Sequence, residues 1–122
     1  MIRVLIVDDQ VIVCEGLKVV LDASPAIEVV GMAYDGAQAL EKVQELQPDL
    51  VLMDLKMPVM NGYEATKSIR NIKPDIPVIA VTAFDIQQDF LETYKTHFDG
   101  YVVKPIDKED LLTKIFRVSE SP

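Results

Sequence analysis

A single cysteine, Cys14, excludes any internal disulfide in these 122 residues and points to a reducing setting. Its ordinary reading is a small buried hydrophobe on a helix. Histidine is as scarce. His97 has no second histidine or cysteine near it, which argues against a transition-metal site; a helix-end residue favourable to the dipole is expected. Basic residues are outnumbered, with 12 Lys and Arg against 20 Asp and Glu, for a net charge of -8. Grip on a nucleic-acid backbone comes from clustered Lys and Arg, so no direct nucleic-acid binding is expected. No apolar run approaches the roughly 20 residues that span a bilayer. Met1 leads straight into a strand-like segment, with no charged region ahead of an apolar one. A soluble, cytoplasmic protein without a membrane partner is expected. No repeat, low-complexity stretch or internal linker interrupts the chain.

What is present is a patterned hydrophobic chain, 49% apolar and long enough for one core. Residues 1–118 are expected to form one domain, and 119–122 a tail or the start of a linker. Five short apolar segments, each separated from the next by room for one helix, read as strands: Ile2 to Val7, Ile27 to Ala33, Leu50 to Met53, Val78 to Val81 and Tyr101 to Val103. The runs VLIV, LVLM and VIAV are nearly continuous, as in a parallel sheet covered on both faces. The second segment contains Glu28 and Gly31 and reads as an edge strand.

Helical patterns fill the gaps. Ile12, Gly16, Leu17, Val20 and Leu21 are expected to share the buried face of the first, which should end before Pro25. Asp35 and Gln38 resemble a capping box for a second helix carrying Leu40, Val43 and Leu46 and stopped by Pro48. Asn61 and Gly62 open a third, toward Asn71. A fourth, Ile86 to His97, has Ile86, Phe90 and Tyr94 on one face but is otherwise polar, and is expected to be the least firmly packed. The fifth runs from Lys108 to about Val118 behind an Asp107 cap and buries Leu111, Leu112, Ile115 and Phe116. Strict alternation of strand and helix implies an α/β fold, a five-stranded parallel sheet doubly wound by five helices.

In such a sheet ligands bind beyond the carboxyl ends of the strands, where the winding reverses. Asp8 and Asp9 follow the first strand, Asp54 the third, Thr82 the fourth and Lys104 the fifth. Three converging carboxylates repel one another unless a cation sits among them. A hard divalent ion suits them, because Mg²⁺ takes one or two carboxylates directly and keeps waters or phosphate oxygens for the rest. A carboxylate can also act as nucleophile and form an aspartyl phosphate, with metal and lysine neutralising charge. Each residue alone has a plainer reading: Asp8 and Asp9 as a turn or cap, Lys104 as a surface lysine, Thr82 as a strand-end hydroxyl closing a local bond. The ordered combination at four strand ends favours the functional one.

The segments VLIVDDQ, DLVLMDLKMPVMNG, VIAVTA and GYVVKPID, which together span nearly the whole chain, resemble the signatures of bacterial response-regulator receiver domains, the CheY-like family. The resemblance implies a flavodoxin-like strand order of 2-1-3-4-5. It implies Mg²⁺, with Mn²⁺ as a substitute, held by Asp8, Asp9, Asp54 and the backbone carbonyl of Lys56. Asp54 would be the phosphoacceptor, served by a histidine kinase, a phosphotransfer protein or a small phosphodonor. Thr82 would hydrogen-bond the phosphoryl group and Lys104 pair with it, while Tyr101 would move inward as Thr82 reorients. The implied protein is a regulatory domain that promotes its own phosphorylation and dephosphorylation, not an enzyme acting on a separate substrate. Its output would be a surface of the fourth helix, fifth strand and fifth helix acting on an output domain or partner, as a monomer or a phosphorylation-dependent homodimer. Pro105 matches the family's cis-proline turn. Lys56 and Phe84, both large, would flank the path of the hydrolytic water and slow self-dephosphorylation. TYKTHFD, residues 93–99, departs from the usual Gly/Ala-rich approach to the fifth strand. The opening third is closer to receivers of helix-turn-helix regulators and the later part to those of hybrid kinases, a mixture that admits a recombined origin unless one relative matches throughout.

Other classes fit less well. A phosphatase resembling the haloacid dehalogenases would carry a second aspartate where Lys56 stands and a cap domain over its substrate. A flavin-binding module would place a Ser/Thr/Gly-rich phosphate loop after the first strand. A degenerate receiver serving only for protein contact would lack part of the acid, hydroxyl and lysine set.

Overall fold

The computed structural model describes residues 1–55, 57, 61–82 and 97–120. The strands are β1 (Ile2–Val7), β2 (Ile27–Ala33), β3 (Leu50–Asp54), β4 (Val78–Thr82) and β5 (Gly100–Val103). The helices are α1 (Val11–Asp22), α2 (Gly36–Leu46), α3 (Gly62–Ile72) and α4 (Lys108–Glu120). Thus α4 is the fifth helix expected from the sequence, and it runs two residues past Val118. The expected helix from Ile86 lies outside the described residues except at His97.

All strand pairs are parallel, in the order β2-β1-β3-β4-β5. Strand alternation sorts the central side chains onto two faces. Leu5, Val7, Val51, Met53, Val78 and Ala80 pack with Ala39 and Val43 of α2 and Ala65 and Ile69 of α3. Val4, Ile6, Leu50, Leu52, Ile79 and Val81 pack with Cys14, Leu17 and Leu21 of α1 and Leu111 and Ile115 of α4. Both faces of β3 and β4 are buried, which explains their unbroken apolar runs.

β2 is an edge strand, as its Glu28 and Gly31 suggest. Its register against β1 slips once: Val4 faces Val29 and Leu5 faces Gly31, so Val30 is an extra residue of a bulge. The caps follow the sequence. Asp35 accepts from the Gln38 amide at 2.7 Å, and the Gln38 side chain accepts from the amide of Tyr34 at 3.0 Å, one residue outside a strict capping box. α2 ends at Gln47, a left-handed residue at φ 49°, immediately before Pro48. Asp107 accepts from the Glu109 amide at 3.1 Å at the start of α4. There Leu111 and Ile115 are fully buried, while Leu112 and Phe116 are half-buried.

The expected face of α1 is corrected. Cys14, Leu17 and Leu21 point inward, whereas Ile12 is 80% exposed, Gly16 is exposed and Val20 is half-buried. The segment VIVCEGLKVVL is apolar almost all round, so more than one stripe satisfies three-and-four spacing. The inward stripe is the one carrying Cys14, whose small thiol lies beneath the Asp8 carbonyl at 3.5 Å. Gly16 therefore has no packing duty, and a Cβ added there meets nothing within 4 Å. Gly16→Ala is expected to stabilise the protein by about 0.5–1 kcal/mol, the usual cost of glycine inside a helix. Urea denaturation checks this, and a lower midpoint for the variant would contradict it.

Candidate functional site

Parallel register brings the strand ends to one edge. Val7 is paired with Met53, so Asp8, one residue on, comes level with Asp54. Asp54 pairs with Val81, so Thr82 stands one residue further along β4. The Lys104 amide donates to the Thr82 carbonyl at 2.7 Å, prolonging the β4-β5 ladder and fixing where the lysine leaves the sheet. The Lys104-Pro105 peptide is cis, as expected.

The carboxylates of Asp8, Asp9 and Asp54 offer oxygens that all lie within 4.8 Å of one another. Asp8 is 1% exposed and Asp54 4%, while Asp9 faces solvent. Lys104 reaches between the two buried acids, its Nζ 3.3 Å from Asp8 Oδ2 and 3.6 Å from Asp54 Oδ1. One ammonium against three carboxylates leaves a strong negative charge in a largely desolvated place, where Coulomb energies exceed those in bulk water. A clustered, all-oxygen donor set that is part buried and part open to water fits a small hard divalent cation and leaves room for further oxygen ligands. Thr82 closes the edge with a buried hydroxyl on the α2/α3 side, the face of Ala80 two residues before it.

Two supports of this arrangement were not assigned from the sequence. The Gln10 amide donates to Asp8 Oδ1 at 2.9 Å and so orients that carboxylate at the entrance to α1. Gly62 lies so close to β3 that an added Cβ would fall 2.1 Å from the Asp54 carbonyl oxygen. Its amide donates to the Leu55 carbonyl at 3.1 Å, while Asn61 caps α3 by accepting from the Glu64 amide at 2.9 Å. The cap was visible as Asn61-Gly62. The close approach of α3 to the backbone of Asp54 needs the fold.

Tyr101, half-buried, sits one strand over from Ala80 and shares the face that carries Thr82. His97 stacks edge-on against Tyr63, with ring centroids 4.9 Å apart, and its carbonyl accepts from Arg70 Nε at 3.1 Å. The carbonyl of Lys56, the Phe84 side chain and the residues just after Thr82 lie outside the described residues.

Below the site, burial and, secondarily, the charge of Asp8 push the Cys14 thiol up to about 11. Native Cys14 is therefore expected to resist iodoacetamide at pH 8, where its thiolate fraction falls below that of an unfolded chain. Mass spectrometry before and after denaturation measures this, and alkylation of the native protein at the unfolded rate would contradict it.

The chain is a doubly wound parallel α/β domain with an acidic, lysine-bridged cluster at the carboxyl edge of its sheet. Residues 4–116 match the family model described as "Response regulator receiver domain", and the chain belongs to that family. It is 37% identical over 118 residues to the transcriptional regulatory protein LnrK of Bacillus subtilis, covering 97% of this chain and 54% of that protein. It is 49% identical over 104 residues to the response regulator GacA of Pseudomonas viridiflava, covering 85% of this chain and 49% of GacA. The chain thus spans about half the length of these curated relatives. Among solved structures, the response regulator domain of Thermotoga maritima CheB superposes with a TM-score of 0.90 at 34% identity, over 100% of this chain and 98% of that one. LnrK matches through both the opening third and the later part, so the mixed resemblance along the sequence needs no second source. Membership makes this a regulatory signalling domain of the two-component type. Among the described residues no helix is long and apolar enough to cross a membrane.

Proposed function

We propose that residues 1–118 form a cytoplasmic receiver that is switched by Mg²⁺-dependent transfer of a phosphoryl group to Asp54. The observation that carries this is the convergence of the Asp8, Asp9 and Asp54 carboxylates, with the Lys104 ammonium between Asp8 and Asp54. The phosphoryl source is a histidine kinase, a phosphotransfer protein or a small phosphodonor. An Asp54 carboxylate oxygen attacks the phosphorus and an O–P bond forms. The P–N bond to the donor imidazole, or the P–O bond of a small donor, breaks, and its electron pair leaves with the donor.

Asp8, Asp9 and Asp54 would hold Mg²⁺, or Mn²⁺ in its place, with the Lys56 carbonyl completing the protein's share. The chemistry supplied by the bound ion is neutralisation of charge on the phosphoryl oxygens. Lys104 is already within ion-pair distance of Asp54 and turns to a phosphoryl oxygen once the carboxylate is phosphorylated. Thr82 donates its hydroxyl to another. The added charge of about -1.5 to -2 pulls on both. Thr82 and Tyr101 then carry the change to the surface of β5 and α4, and from there to an output domain or partner. The domain acts as a monomer or a phosphorylation-dependent homodimer.

Incubation with Mg²⁺ and acetyl phosphate, followed by intact mass, tests the proposal. One phosphoryl group is expected on the wild type, and none on Asp54→Ala or in the presence of a chelator. No gain with any donor would overturn it.

A further inference from the structure

β5 is an edge strand, and its residues divide between the two layers. Val102 belongs to the α1/α4 face and Tyr101 to the α2/α3 face. α4 packs on the face opposite Tyr101, yet Lys114 of α4 places its Nζ 4.9 Å from the centroid of the Tyr101 ring. An ammonium from one layer meets a ring of the other only around the sheet edge, so the contact is made at the edge of β5. The contact is a cation-π attraction, and Lys114 is held in place for it by Asp110, one helical turn earlier, at 3.2 Å. On the inner side, Tyr101 is paired with Ala80, the smallest side chain of β4, and Thr82 is the next residue of that strand on the same face. An inward swing toward Thr82 therefore passes over a methyl group and carries the ring away from the Lys114 ammonium.

We propose that Lys114 is a positioning residue that holds Tyr101 over the edge of β5 and so biases the receiver toward its unphosphorylated arrangement. This rests on the reading of Thr82 and Tyr101 as the switch of the Asp54 site. Because the cation-π contact is made in only one arrangement, its strength is a differential free energy between the two, and linkage passes it to the affinity for anything that favours the other.

The test is binding of beryllofluoride, a phosphoryl mimic, in the presence of Mg²⁺, to the whole domain. Lys114→Met is expected to tighten binding by about 2- to 5-fold, the range given by an exposed cation-π contact. Lys114→Arg, which retains a cation over the ring, should restore the wild-type value. In a Tyr101→Leu background, Lys114→Met should change nothing. Equal affinities of wild type and Lys114→Met, or a Lys114→Met effect that persists without the tyrosine, would overturn the inference. Failure of the wild type itself to bind beryllofluoride would instead overturn the reading of the Asp54 site on which it rests.

Discussion

Gly62→Ala is expected to destabilise the protein by about 3 kcal/mol, at the upper end of the range for overpacking, and to slow phosphoryl uptake in whatever remains folded. The new Cβ would fall 2.1 Å from the Asp54 carbonyl oxygen and 2.9 Å from the Leu55 Cα. Those obstacles are backbone atoms, which cannot rotate aside as the end of a side chain can. Either α3 lifts from β3, costing contacts of Ala65 and Ile69, or β3 shifts and carries the Asp54 carboxylate away from Asp8 and Lys104. Urea denaturation with parallel measurement of acetyl phosphate uptake reads both effects. A loss below about 1 kcal/mol with wild-type uptake would show that the helix relaxes freely.

Asp8→Ala is expected to have the opposite effect on stability and a larger effect on function. Removing one of three clustered carboxylates relieves repulsion in a desolvated place, so without metal the variant should melt no lower than the wild type. The gain is limited, because the substitution also removes the acceptor for the Gln10 amide and one partner of Lys104. With Mg²⁺ the order should reverse. An ion at 100 times its dissociation constant stabilises the state that binds it by about 2.7 kcal/mol, and the wild type should gain this where Asp8→Ala does not. Phosphoryl uptake from acetyl phosphate should fall by at least about 100-fold, beyond the range for losing an outer-shell partner of a metal site. Thermal melts with and without Mg²⁺ check the stability claim. An equal Mg²⁺ shift in both proteins would place the ion elsewhere.

Most of the site could be read from the chain because its parts lie at strand ends, and strand ends are marked by abrupt passage from aliphatic runs to Asp8, Asp54, Thr82 and Lys104. Parallel register does the rest, bringing Asp8 level with Asp54. The edge position of β2 was legible in the same way, since β3 and β4 are apolar on both faces and β2 is not, whereas the strand order followed only from the family resemblance. The face of α1 was not legible, because a helix apolar all round gives periodicity nothing to choose between. The dependence of Asp54 on Gly62 was hidden too. It arises from a backbone approach between residues eight apart, and no side-chain pattern encodes it. Lys114 reached Tyr101 only once β5 proved to be an edge strand with α4 on the far face.

The central claim is that the phosphoryl group is carried by the carboxylate of Asp54. Borohydride reduction of the protein after treatment with Mg²⁺ and acetyl phosphate, followed by peptide sequencing by mass spectrometry, tests it most directly, because an acyl phosphate is reduced to an alcohol and an unmodified carboxylate is not. Homoserine is predicted at position 54 and at no other aspartate. Homoserine at Asp8 or Asp9, or a stable phosphoryl group on a hydroxyl such as Thr82 with Asp54 unmodified, would contradict the account.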